Sequence, residues 1–197
     1  GTIRYEGTNR MGKSRSARWL PTWNISGAWN VHEENFFKPI QPALSHLTFK
    51  ASYSLTADRG PADVTNSNII INSYIPYRPF ADIQEPGLQI VDLENSELTY
   101  EKKHELNIGL DVGFLDNRIN LALDWYKRNN YDLIGAVNTQ GVGGTILKLA
   151  NVASMKSHGV EFTLSTHNIK TEDFNWHTNF IFSNAKNEVT ELEQNAN

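Results

Sequence analysis

At 197 residues with a formal net charge of -4, the chain is long enough for one sizeable core. Its lysines and arginines are dispersed and form no basic stripe, which argues against a nucleic-acid partner. It has no cysteine, which excludes disulfide scaffolds, cysteine-ligated zinc and thiol catalysis together. No run of about 18 apolar residues occurs, so a transmembrane helix is excluded; a β-barrel is not, because its strands alternate apolar and polar residues.

The chain opens at Gly1 with neither a charged leader nor an apolar stretch, so no signal peptide is expected within it, which fits either a protein that is not exported or a piece of a larger one. A short strand is possible at Ile3 to Tyr5. Over residues 22–31, Trp23, Ile25, Gly27, Trp29 and Val31 alternate with Thr22, Asn24, Ser26, Ala28 and Asn30, a period of two that only a strand produces. His32-Glu33-Glu34 follows. Adjacent residues on extended chain point to opposite faces and no further histidine lies at zinc spacing, so the triplet reads as a solvated turn, and no metal or other cofactor is expected.

A second strand is predicted over residues 47–56, with Leu47, Phe49, Ala51, Tyr53 and Leu55 on one side. Residues 58–96 then read as a long loop. Within it, Tyr74, Tyr77, Arg78 and Phe80 lie in a stretch with three prolines and two acids; such aromatic groups on an external loop suit stacking on a ligand or contact with a partner, or plain packing on neighbours.

From residue 105 to 114, Leu106, Ile108, Leu110, Val112 and Phe114 alternate with Glu105, Asn107, Gly109, Asp111 and Gly113. Asp116-Asn117, a pair suited to positive φ, leads into Ile119, Leu121, Leu123 and Trp125 alternating with Asn120, Ala122, Asp124 and Tyr126: a tight hairpin. Residues 130–158 read as a second long loop. Its Gly141-Val142-Gly143-Gly144 lacks the Lys-Ser/Thr and the strand-to-helix setting of a phosphate cradle and reads as a loop tip. A last pair is predicted at residues 160–165 and 174–180 around a polar turn, and the acidic tail from Glu188 to Glu193 is a weak helix candidate.

The long loops alternate with the short turns along the chain, so the long ones gather at one end of the sheet, as in outer-membrane barrels. Alternation alone also fits a soluble β-sandwich or small barrel serving as an extracellular carbohydrate-binding module, in which the apolar face turns inward. Two features favour the membrane. The strands run to about ten residues, near the 9–11 that cross a bilayer, and Trp19, Trp29, Trp125 and Tyr126 sit where interfacial girdles place them. On that reading Glu105, Asp111, Asp124 and Glu161 line the lumen, Asp111, Asp124 and Glu161 facing one another across neighbouring strands, while outer-membrane lipid meets the other face. Lumen-lining acids are a simpler account of these carboxylates than a catalytic cleft, and no enzyme activity is expected.

The stretches RWLPTWNISGAWNVHEENFF, LTFKASYSLTADRG, LTYEKKHELNIGLDVGFLDNRINLALDWYKRNNYDLI, NVASMKSHGVEFTLS and FNWHTNFIFSNAKNEVTEL resemble, in order and spacing, the SusC/RagA family of TonB-dependent transporters. The most specific block is the central one, with its Glu-Lys pair before an alternating strand and its Gly-Phe-Leu-Asp-Asn-Arg turn. The resemblance implies an all-β, antiparallel up-and-down meander that forms part of a transmembrane barrel of about 22 strands. It also implies import of glycans or peptides driven through TonB, under a SusD-like surface lipoprotein. Residues 1–197 are expected to form a partial barrel of six or seven strands with no plug domain, no TonB-contacting segment and no terminal aromatic strand; alone it is not transport-competent.

Overall fold

The computed structural model describes residues 1–41, 43–61, 68–80, 83, 85–141 and 146–193. Among them, seven strands form one antiparallel sheet: β1 (Thr2–Gly7), β2 (Trp19–Asn30), β3 (Leu44–Asp58), β6 (Glu101–Phe114), β7 (Ile119–Asn138), β8 (Leu147–Lys170) and β9 (Asn175–Leu192). They lie side by side in chain order, interrupted only by β4 (Ile70–Tyr74) and β5 (Gly87–Asp92), which pair with each other as a separate hairpin. The all-β meander is the one predicted, and the possible strand at the start is real. No second sheet packs on the apolar face among the described residues, so the sandwich alternative has no inner layer to bury that face.

The alternation fixes what each strand presents. Hydrogen bonding aligns Trp29, Phe49, Leu110, Leu123, Phe162 and Phe182 in one cross-strand row, and Ala28, Lys50, Gly109, Asp124, Glu161 and Ser183 in the adjacent row on the opposite face. A one-residue slip anywhere would exchange the faces. At the β6–β7 turn, Leu115, Asp116 and Asn117 are all left-handed, with φ of 52°, 54° and 60°. Left-handed backbone suits Asp and Asn but strains leucine. Hydrogen bonds from Leu115 N to the Ala43 carbonyl and from Asp116 N to Ser45 Oγ hold the turn in that shape.

Three expectations are corrected. Residues 58–96 are not a featureless loop: β4 and β5 form a ribbon there, seeded by the β-branched run Ile69-Ile70-Ile71. Residues 130–158 are not a loop either, because β7 and β8 continue into a long tongue and leave only residues 139–146 as connection. A bulge at Asp132, whose φ is 57°, breaks the period of two there and hides the strand from its sequence. The acidic tail is no helix; β9 continues through Leu192, with Thr190 Oγ1 donating to the Ser154 carbonyl and Ser154 Oγ donating to Glu191. The glycine tip at residues 142–144 lies outside the described residues.

The ends of the sheet differ. One carries the turn at residues 115–118, the turn at 171–174 and the compact connection 31–43; the other carries 8–18, 59–100 and the tongue. At this second end a small core forms from Met11, Leu98 and Tyr100, all nearly inaccessible, against Leu20, Ala57, Ile134 and Leu149. The Tyr100 hydroxyl donates to the Arg18 carbonyl. Burial pushes the Tyr100 phenol above its ordinary pKa, and nearby Glu6 adds to the rise while Arg59 opposes it.

Asn151 ties this core to the tongue. Its side chain accepts from Thr99 N at 2.8 Å and donates to the carbonyls of Thr99 at 2.9 Å and Asp132 at 2.6 Å. Replacing Asn151 with Ala removes all three and strands partly buried backbone groups, each costing about 1–3 kcal/mol where water cannot reach. The expected outcome is faster proteolytic cleavage within residues 93–100 while the seven-strand sheet stays resistant; an unchanged cleavage pattern would show that the clamp is dispensable.

Candidate functional site

The two faces of the sheet divide the chemistry. On the apolar face the greasy side chains stay exposed: Ile25, Phe49, Ile108, Val160, Phe180 and Phe182 are each 40–66% or so accessible. The band they form is slanted. On β2 it runs from Trp19 to Trp29, so the shared row through Trp29 and Phe182 is its edge toward the short turns. On β9 that same row is the opposite edge, with Phe180 and Trp176 below it and Asn184 and Lys186 above.

Over five strand-to-strand steps the band moves by about four rows, or roughly 27 Å along the strands against roughly 24 Å across them. A horizontal slab meeting this face therefore crosses the strands at a tilt of roughly 45°, close to the range of about 35–45° seen in membrane barrels. Aromatic groups follow the edges. On the long-connection side, Trp23 meets Tyr53 edge-on at 5.2 Å between ring centres, Tyr53 stacks on His104 at 6.1 Å, and His104 meets Tyr131 at 6.0 Å. Trp19 stacks on Tyr5, and at the other edge the Trp29 indole donates to Glu34.

Tyr126 departs from the expected girdle. It lies on the polar face, where its ring crosses Gly159 and the Arg128 guanidinium sits 4.2 Å above the ring centre. Parity alone places it there, since it shares a face with Asp124 and Ala122.

All four predicted acids are on the polar face, in two different settings. Glu105 is held between Lys103 at 3.0 Å and Arg128 at 3.1 Å and accepts from Asn107 at 3.1 Å. The Arg128 Nε–H points off the carboxylate, so that contact is charge attraction more than hydrogen bonding. Asp111 takes Lys50 at 2.5 Å. Asp124 and Glu161 are direct cross-strand partners, as expected, whereas Asp111 pairs with Ala122 one row away. Small residues hollow the middle of this face: Ser26, Ala28, Ser52 and Gly109 floor a depression of about 430 Å³ rimmed by Lys50, Asn107 and Asp124. No group of three metal-ligating side chains occurs among the described residues.

The third region is the β4–β5 ribbon. Tyr74 ends β4 with its ring against Gly87. Tyr77 and Phe80 are 85% and 100% exposed, and Arg78 reaches Glu85 at 3.6 Å. Of the two acids in this stretch, Asp82 lies outside the described residues. The structure brings Tyr74, Tyr77, Arg78 and Phe80 onto one projecting element but packs none of them into the sheet. Ile70, Ile71, Leu88 and Val91 are exposed on the same ribbon, an apolar surface for which the only sequence signal was the isoleucine run.

Comparison with known proteins decides what this sheet belongs to. A family model described as TonB dependent receptor-like, beta-barrel matches residues 1–196. The chain belongs to that family. TonB-dependent receptors of this kind are outer-membrane proteins. Among curated relatives, the TonB-dependent receptor SusC of Bacteroides thetaiotaomicron is 30% identical over 97% of this chain and 19% of its own length. TonB-dependent receptor P3 of Formosa agariphila is 29% identical over 97% of this chain and 18% of its own. The solved RagAB peptide importer in its 'open-open' state superimposes with a TM-score of 0.81 and 25% identity, across 96% of this chain and 20% of that one. This barrel segment thus spans about a fifth of the length of the relatives it matches.

Proposed function

We propose that this TonB-dependent receptor segment is a stretch of barrel wall in an outer-membrane nutrient importer, one that takes up glycans or peptides with a SusD-like surface lipoprotein and draws energy through TonB. The observation that carries this reading is the slanted apolar band. Its residues are exposed, it is bordered by aromatic rings, and its tilt matches a wall crossed by a bilayer. The polar face, with its ion pairs and with Asp124 and Glu161, which have no ion-pair partner among the described residues, then lines the interior, and the chemistry is passage of cargo without bond making or breaking. The end with the tongue and the ribbon is the external one.

On this reading Tyr74, Tyr77, Arg78 and Phe80 stand outside the membrane, where an aromatic, apolar ribbon suits a protein surface or the flat faces of a cargo molecule. Replacing Tyr77 and Phe80 together with serine in the full-length importer is expected to weaken co-purification of the lipoprotein, or uptake, by about tenfold or more, since buried aromatic anchors at interfaces carry about 2 kcal/mol or more each. Unchanged association and unchanged uptake would remove the ribbon from both roles.

A further inference from the structure

The connection between β2 and β3 brings together two histidines that the sequence leaves apart. His32 stands in the turn after β2, and His46 near the start of β3, where the register shifts. Both are half-buried, and their ring centres lie 4.3 Å apart with the planes tilted by 43°. Each ring has one nitrogen committed. His32 Nδ1 is 3.1 Å from the Leu47 carbonyl, which can only accept, so the hydrogen sits on Nδ1. His46 Nε2 is 3.2 Å from Thr48 Oγ1; that buried hydroxyl gives its own hydrogen to Asn30 Oδ1 at 3.1 Å, so Nε2 is the donor. What remains is His32 Nε2 and His46 Nδ1, two bare lone pairs on adjoining rings, with no hydrogen-bond partner among the described residues. Rings in this state cannot donate to one another, and the pair needs an electron-pair acceptor from outside the chain.

We propose that His32 and His46 bind a divalent transition-metal ion of the kind that takes imidazole nitrogen, with Zn2+ as the type. A histidine ligand characteristically donates its other ring N–H to a fixed acceptor, which sets the tautomer and the ring orientation; both rings here are held that way. The spacing fits. With metal–nitrogen bonds of about 2.0–2.1 Å, two imidazole centres around one ion lie roughly 4.5–5 Å apart, a small ring movement from the observed separation. No third histidine or carboxylate joins the pair among the described residues, so the other positions fall to water and to carbonyl oxygens. Asn117 and Asn120 carry theirs into the corner that Gly113 leaves open beside His46. The ion would clip the connection 31–43 onto β3, adding to the bond that Gln41 Nε2 donates to the His32 carbonyl. The site is built by this chain alone at the short-turn end, and it does not rest on the importer reading.

The test titrates the full-length, tag-free protein in detergent with zinc chloride by calorimetry, comparing wild type with His32→Gln, His46→Gln, Thr48→Val and Thr48→Ser. Losing the acceptor that orients a ligand costs about 10–100-fold in metal affinity. Thr48→Val is therefore expected to weaken zinc by about tenfold or more, loss of either histidine by at least as much, and Thr48→Ser to keep the wild-type affinity. Limited proteolysis of the wild type reads the same event without a substitution: chymotryptic cleavage after the exposed Phe36 should slow when zinc is added and recover on chelation. No saturable zinc binding by the wild type, undiminished affinity in either histidine variant or in Thr48→Val, or cleavage indifferent to zinc overturns the inference. Each of those results leaves the importer reading intact.

Discussion

A Leu110→Arg variant of the full-length protein is expected to lose most of its bilayer-inserted, folded population. Leu110 sits in the middle of the β6 apolar face, between Ile108 and Val112, and is flanked across the strands by Phe49 and Leu123. A guanidinium at that depth on the lipid side costs about 2–4 kcal/mol, which is about 30-fold or more in the folding equilibrium. The matched control is Ala122→Arg. Ala122 lies one residue from Leu121 and Leu123 but on the opposite face, beside Asp111, so the new cation meets a carboxylate and water. Folding into vesicles, read by the mobility difference between heated and unheated samples, separates the two. Equal losses in both variants would mean that the faces have been assigned wrongly.

The second large effect is expected at Gly159. A side chain built there meets the Tyr126 Cζ and hydroxyl at 2.6 Å and the Asn184 carbonyl at 2.7 Å. The ring is hemmed by Arg128 above it, and the carbonyl belongs to the β8–β9 ladder, so neither yields easily. Gly159→Val should destabilise the folded protein by about 1–3 kcal/mol through overpacking, measured as a lower urea midpoint in detergent. Adding Tyr126→Ala to it should recover part of the loss, because the ring goes but the carbonyl stays. Full additivity of the two changes would show that the ring does not rest on the glycine.

How legible this was depends on range. The β6–β7 hairpin could be read directly, because every contact that specifies it is local: the period of two and the Asp116-Asn117 turn lie within about twenty residues. The placement of Glu105, Asp111, Asp124 and Glu161 on one face followed from the same parity. The tongue could not be read, since Asp132 shifts the register and the partners that pin it, Thr99 just before β6 and Glu101 at its start, lie 52 and 33 positions from the residues they hold. The small core of Met11, Leu98 and Tyr100 joins residues almost ninety positions apart in the chain, and no pattern near any of them announces it. Parity puts Tyr126 on the polar face with Asp124, where residue type alone points to the girdle. In the acidic tail, pairing with β8 overrides a weak local helical preference.

The slant of the strands also bears on mechanics. Because the ladder runs obliquely to the direction in which an importer is loaded, a pull along the bilayer normal resolves into two nearly equal parts. One slides neighbouring strands past each other and is resisted by a whole row of backbone bonds acting together; the other would peel the strands apart one bond at a time. Loading many bonds in parallel makes a wall stiff, so on the proposed importer reading a load applied along the normal should leave these staves almost undeformed.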